Sequence, residues 1–300
     1  NMASDEIELS FIIITYNTKK IVQNCLESIQ KSLNTSSLSY EIIVVDNAST
    51  DGTIALLTSS RISELRVIQN TKNLGFAKAN NQGVREARGK YILLLNSDTI
   101  VLDNAIEKLL HFYKQKELII QFLGGKLLNK DHSPQPSCGP FYSLPVIFGA
   151  LFLKGDYWEF TRYSPNIVKE VDWVSGACIL TKKEYYETIG GFDEQIFMYM
   201  DEIDLLYRVK QKGYKVFFYP DAQFIHLGSA SSKGRTYPIL QVYRGFMYFY
   251  KKHHNDRLSL FLLKFMLQLK SWIAIGIGKL TRNPYLIKTY EEALKLAEMA

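Results

Sequence analysis

Polar and acidic residues in this 300-residue chain gather just after its apolar runs: Thr15/Asn17, Asp46/Asn47 and Asn96/Asp98, then Asp201/Glu202 and His226. Open α/β sheets hold their ligands outside the carboxyl ends of the strands, so these groups are candidates for one shared site. Carboxylates brought to one sheet edge repel each other without a counter-charge. Mg2+ or Mn2+ supplies one, and oxygen-rich ligation with a single imidazole suits those ions. Such an ion bridges a diphosphate and neutralises it as it leaves, which makes a nucleotide diphosphate the natural ligand. Each group also has a plainer use. Asp98 can cap a helix over 101–112, Asp46 can form an Asx turn, and a histidine at a strand end is more often structural than ligating.

Other chemistries find no support. Thr15-Tyr16-Asn17-Thr18-Lys19-Lys20, after the first apolar run, lacks the glycines of a dinucleotide fingerprint, and no phosphate loop of the G-x-x-x-x-G-K type occurs. No serine sits in a G-x-S-x-G elbow. The three cysteines, Cys25, Cys138 and Cys178, are odd in number and widely spaced, as expected of reduced structural thiols in the cytoplasm. The polar, acidic opening carries no signal-peptide pattern, in keeping with that location.

The elements that must position these residues read as an α/β alternation. Strands are expected at 9–15, 41–45, 65–68 and 91–95, with helices at 21–33, 53–60, 76–87 and from about 101 to 116. Short connections predict βαβ units, a mostly parallel sheet and flanking helices. Residues 129–169 have no sustained period and are rich in Pro, Gly and aromatics, as in a binding loop or lid. A strand over 172–181, helices near 182–189 and 201–212, and two strands split by Pro220 follow.

A catalytic part over 1–230 then gives way to a helical, basic and apolar extension over 231–300. From Arg244 onward ten Lys/Arg face four Asp/Glu, which accounts for the whole net charge of +6. Nucleic acid is not the expected partner, because these cations share their segment with a long apolar run. Residues 258–280 are interrupted by Lys264, Gln268, Lys270 and Lys279, which fits an interfacial helix with snorkelling lysines better than a spanning one. The expectation is peripheral membrane contact through 243–280; protein packing or a homodimer contact is the alternative.

Five segments carry a family likeness: V-V-D-N-A-S-T-D-G-T (44–53), N-L-G-F-A-K-A-N-N-Q-G (73–83), L-L-L-N-S-D (93–98), W-V-S-G-A-C-I-L (173–180) and G-G-F-D-E-Q-I-F-M-Y-M-D-E-I-D-L-L-Y-R (190–208). With these in order, the chain resembles the inverting family 2 glycosyltransferases of GT-A fold, most closely the rhamnosyltransferase-like branch, from about residue 8 to 230. The resemblance implies a pyrimidine nucleotide-sugar donor, dTDP-rhamnose first and UDP-sugars next. The basic, apolar C-terminal segment suggests a glycan or lipid-linked acceptor met at the inner membrane face, as in cell-surface polysaccharide assembly. Asp46 would bind the base beside the Thr15–Asn17 turn, and Asn73, Gly75, Asn80 and Gly83 would lie under the nucleotide. Asp98 matches the last acid of a D-x-D motif whose first position is Asn96, and His226 would complete the metal site. Trp173, Ser175 and Gly176 match the sugar and acceptor pocket.

An inverting reaction needs a base opposite the leaving diphosphate. The family pattern E-D-x-D reads here Asp201-Glu202-Ile203-Asp204, with the acids swapped. By position Glu202 is the base and Asp201 orients substrate, while the swap leaves Asp201 as the alternative. Asp204 and Arg208 are expected to form an i, i+4 ion pair. A nucleotidyltransferase of similar architecture would need a Gly-rich basic loop that is missing. A non-catalytic carbohydrate- or membrane-binding relative should have lost the acids that this chain keeps.

Overall fold

Strands with no polar alternation must be covered on both faces, and three such runs form the centre of this molecule. The computed structural model describes residues 6–228 and 236–299. The first half comprises β1 (Leu9–Thr15), α1 (Lys19–Leu33), β2 (Tyr40–Asp46), α2 (Thr53–Thr58), β3 (Leu65–Gln69), α3 (Phe76–Glu86), β4 (Tyr91–Leu95), β5 (Thr99–Val101), α4 (Ala105–Lys116) and β6 (Phe122–Leu128). There follow β7 (Cys138–Gly139), α5 (Leu144–Phe152), β8 (Lys169–Val171), β9 (Trp173–Val174), β10 (Cys178–Lys182), α6 (Lys183–Ile189), α7 (Asp201–Gln211) and β11 (Val216–His226). Helices α8 (Thr236–His253), α9 (Arg257–Leu280) and α10 (Pro284–Met299) end the chain.

The nine-stranded sheet has the order β3-β2-β1-β4-β10-β6-β11-β5, with β8 also on β11. Strands β1–β4, β6 and β11 run one way, while β5, β8 and β10 oppose them. The expected mostly parallel sheet is therefore present. Alternate residues of β1 serve opposite faces: Phe11 and Ile13 pack with α1 and α4, and Ile12 packs in the layer of α3, α7 and α8. In-register pairing of Thr15 with Asp46 puts the ends of β1 and β2 at the same level.

Four local expectations are corrected. After Asp98 the chain forms β5, paired antiparallel to β11, and the helix starts only at Ala105, so Asp98 does not cap it. Residues 172–181 are not one strand: β9 joins β7 in a separate two-stranded sheet, and the Ser175-Gly176 turn leads into β10. Pro220 does not divide β11, which absorbs it in a register shift between Tyr219 and Gln223. The irregular 129–169 segment contains α5, apolar on nearly every side and hence without an amphipathic period.

The boundary expected at residue 230 falls among residues 229–235, outside those described. Beyond it α8 does not stand apart: Phe246, Phe249 and Tyr250 share one buried cluster with Ile203, Leu206 and Trp173. Helix α9 buries Leu263, Leu267, Ser271, Ala274 and Gly278, a stripe at i, i+4, i+8, i+11 and i+15. Its other face exposes Leu258, Phe261, Phe265, Trp272 and Ile277. By length and composition α9 is apolar enough to cross a membrane.

Candidate active site

A cleft of about 610 Å3 opens at the ends of β1, β4 and β11 and the start of α7. Its lining includes Thr15, Asn73, Asn96, Asp98, His226, Asp201 and Glu202, together with Trp173, Ser175 and Gly176. Residues 130 positions apart in sequence thus meet on one wall. Asn17, Asp46, Gly75 and Asn80, also expected at the site, lie outside this lining.

The β1–α1 and β2–α2 loops clasp each other. Asn17 N–H donates to Ser49 Oγ at 2.8 Å, Asn17 Oδ1 accepts from Thr50 N–H at 2.7 Å, and Asp51 accepts from Lys19 N–H at 2.9 Å. The Asn17 side chain is thereby engaged in bracing the loop. Asp46 is wholly buried: its Oδ1 accepts from Ser49 N–H at 2.9 Å, and its Oδ2 has no partner among the described residues. An unpaired buried carboxylate oxygen calls for a donor from outside the fold.

Asn73 Oδ1 accepts from Gly75 N–H, and Asn80 donates to Phe76 O, so both amides stabilise the start of α3. Gly75 has φ +83°, and a Cβ there would lie 2.8 Å from the Phe197 carbonyl oxygen. Its glycine admits the 197–200 segment to the cleft rather than a ligand. Gly83 packs α3 on Ile12 of β1.

At one pole of the cleft, His226 Nε2 lies 3.3 Å from Asp98 Oδ1 and 3.3 Å from Asn96 Nδ2. On the far side of the ring, Nδ1 lies 2.8 Å from Gln135 Oε1. The Gln135 amide nitrogen donates to two oxygens, Asn129 Oδ1 and His226 O, both at 3.1 Å, which fixes the amide orientation. Gln135 Oε1 therefore accepts from Nδ1–H, and in the neutral ring the Nε2 lone pair faces Asp98. A lone pair beside a carboxylate, with the other ring nitrogen anchored, is how an imidazole is prepared for a cation. Among the described residues no third His, Cys, Asp or Glu joins this pair. A cation held by this pair alone would need further ligands from a bound molecule and water, as Mg2+ commonly does.

At the other pole, Tyr199 and Met200 both have φ +64°, a left-handed conformation uncommon for such side chains. This turn delivers Asp201 and Glu202 at the first turn of α7. Met200 is seated against Gly245 of α8, where a Cβ would come within 2.6 Å of its Cγ. Asp201 is 4% exposed. Burial, the neighbouring Glu202 charge and a hydrogen bond to Glu202 raise its carboxyl well above the usual range. Asp201 is therefore favoured in its protonated form.

Asp204, one turn on, is fully buried away from the cleft. It accepts from Arg208 Nε at 2.8 Å, as expected, and also from Lys252 Nζ at 2.7 Å and His253 Nε2 at 2.8 Å, both on α8. Lys252 also donates to Asp193 at 2.7 Å. The helix bearing the acid pair is therefore anchored to the C-terminal segment, and Val242 and Phe246 of α8 line the cleft itself.

Trp173 is 2% exposed, with its Nε1–H on Pro140 O at 2.9 Å and its ring against Tyr142 and Arg162. Little indole face is left for a sugar. Tyr142, Arg162 and Gln135 were not expected from the sequence, because they lie in the irregular segment where no period marks them. The three cysteines are free and buried, and burial pushes their thiols up to about 12. They are inert structural groups.

Residues 10–189 match the profile of Glycosyl transferase family 2. An N-acetylglucosaminyl-diphospho-decaprenol L-rhamnosyltransferase of Mycobacterium tuberculosis is 27% identical over 246 residues, covering 76% of this chain and 78% of that protein. A low-salt glycan biosynthesis hexosyltransferase, Agl10, of Haloferax volcanii is 25% identical over 213 residues, 70% of this chain and 64% of its own. The glycosyltransferase GlyG of Streptococcus pneumoniae is 34% identical over 136 residues, 45% and 42% of the two chains. Among solved structures, a mannosyltransferase from Pyrobaculum calidifontis in complex with GDP-Man and Mn2+ superposes with a TM-score of 0.58 at 18% identity, covering 98% of this chain and 75% of that one. That likeness supports the GT-A fold expected from the motifs. With the profile spanning more than half of its length, this chain belongs to glycosyl transferase family 2.

Proposed function

We propose that the protein is a metal-assisted, inverting glycosyltransferase that moves a sugar, rhamnose foremost, from a dTDP- or UDP-sugar to a hydroxyl of a glycan or lipid-linked acceptor. The observation that carries this reading is the meeting of two poles in one cleft, Asp98 with His226 and Asp201 with Glu202. Asp98 and His226 would hold Mg2+ or Mn2+, which when bound neutralises the charge of the departing diphosphate. Glu202 takes the proton of the acceptor hydroxyl as it attacks the anomeric carbon. Asp201, kept protonated by burial, donates to Glu202 and orients it. The orphaned Oδ2 of Asp46 supports a pyrimidine donor, since the N3–H of uracil or thymine would satisfy it.

The relative named for a diphospho-decaprenol acceptor supports a lipid-linked substrate. So does the outer face of α9, where exposed Phe261, Phe265 and Trp272 stand beside Lys264 and the segment's excess of cations. This reading puts the enzyme at the cytoplasmic face of the membrane. Indifference to anionic vesicles at low salt would contradict it.

A thermal-shift screen of UDP-, dTDP- and GDP-sugars with and without Mn2+ tests the whole. A ligand at about a hundred times its Kd adds about 2.7 kcal/mol, and a dTDP- or UDP-sugar should give the largest rise, only with metal. Binding indifferent to metal would contradict the roles of Asp98 and His226, and a preference for GDP-sugars that of Asp46.

A further inference from the structure

A diphosphate entering this cleft meets three acids, Asp98, Asp201 and Glu202. Among the described residues lining the cleft, Arg162 is the sole Lys or Arg. Its position is built rather than incidental. Tyr163, the next residue, exchanges backbone hydrogen bonds with Cys138 at 2.9 and 3.2 Å, which pins this stretch of loop to β7. The guanidinium lies over the Trp173 ring at 5.7 Å, and Nη2 donates to Pro136 O at 3.2 Å. Pro136 follows Gln135, the residue that orients His226. Yet Arg162 Nε is buried with no partner among the described residues. An unpaired buried N–H of a cation is unfavourable unless a bound acceptor completes it. The fork of Nε–H and Nη–H matches two oxygens of one phosphoryl group better than any neutral group.

We propose that Arg162 is a phosphate-binding residue of this cleft, pairing through its Nε–H with a phosphoryl oxygen of a substrate. The inference rests on the glycosyltransferase reading above and adds to it the cation that this chain itself provides. Two substrates could carry that oxygen, the donor through its diphosphate or the acceptor through a phosphate linking its sugar to a lipid.

The test is calorimetric titration of wild type, Arg162→Gln and Arg162→Lys with UDP, dTDP and UMP in Mn2+, and with farnesyl diphosphate as a phosphate-bearing lipid probe. Loss of one charge-assisted pair should weaken the affected ligand about 10- to 100-fold, with Lys restoring part of it. Weakened UDP or dTDP with UMP unchanged assigns the donor diphosphate; weakened farnesyl diphosphate with unchanged nucleotides assigns the acceptor. Equal affinities of wild type and both variants for every probe would overturn the proposal alone. A wild type that binds neither UDP nor dTDP would instead overturn the glycosyltransferase reading beneath it. Melting curves of the two variants identify any loss of fold, and the Lys variant keeps the charge if the Gln variant does not fold.

Discussion

Asp204→Asn should destabilise the protein by about 2–3 kcal/mol. The carboxylate is fully buried and receives Arg208, Lys252 and His253. Burial opposes its charge, yet the His253 hydrogen bond, the Arg208 charge and Lys252 together hold its pKa at about 2, against 3.8 when free. A depression of that size corresponds to roughly 2 kcal/mol at neutral pH. Removing one partner of a buried ion pair costs about 3–5 kcal/mol, and this case falls lower because Arg208 and Lys252 are 19% and 30% exposed and can regain water. The sign follows from the depressed pKa. The carboxylate's contribution is complete above pH 3.8 and is lost as pH falls through about 2. Urea unfolding followed by tryptophan fluorescence, at steps from pH 7 to pH 3, should show a gap between wild type and variant that is widest at neutral pH and narrows below pH 4. A variant within about 0.5 kcal/mol of wild type, the scatter of ordinary surface substitutions, or a gap that ignores pH, would refute the role of this cluster in anchoring α7 to α8.

Gln135→Ala should weaken Mn2+ affinity in the nucleotide complex by about 10- to 100-fold while leaving the fold intact, because it frees the His226 ring; equal metal titrations would deny it the orienting role. Asp201→Asn should raise the unfolding midpoint at pH 7, since a carboxyl with a raised pKa costs the folded state its stability as pH climbs above 3.8, and the gain should fade toward acid pH. Gly75→Ala should destabilise by about 1–3 kcal/mol through its positive φ and the Phe197 carbonyl, measured by chemical denaturation.

Much of the sheet was legible because buried parallel strands announce themselves as unbroken apolar runs, as β1, β2 and β4 do. The same logic found Asp98 and His226, which do meet, and the acid pair, which does face the same cleft. What escaped depends on distant partners. Three residues, Thr99–Val101, become a strand only because β11 lies beside them. Trp173 leaves the main sheet because Gly139 is its partner. Arg162 and Gln135 gain their meaning from Trp173 and His226, and nothing local marks an arginine or a glutamine in an aperiodic loop. Likewise the aromatic-basic pattern of α8 suggested a separate extension, while Lys252 and His253 in fact close the cluster around Asp204.

The central claim is that a proton-accepting carboxylate faces the diphosphate pole across one cleft. Single-turnover transfer from a dTDP- or UDP-sugar by Glu202→Gln, alongside titration of the same nucleotide in Mn2+, tests it most directly. We predict unchanged nucleotide affinity and a transfer rate lowered about 10²- to 10⁴-fold. Full turnover by Glu202→Gln would contradict it.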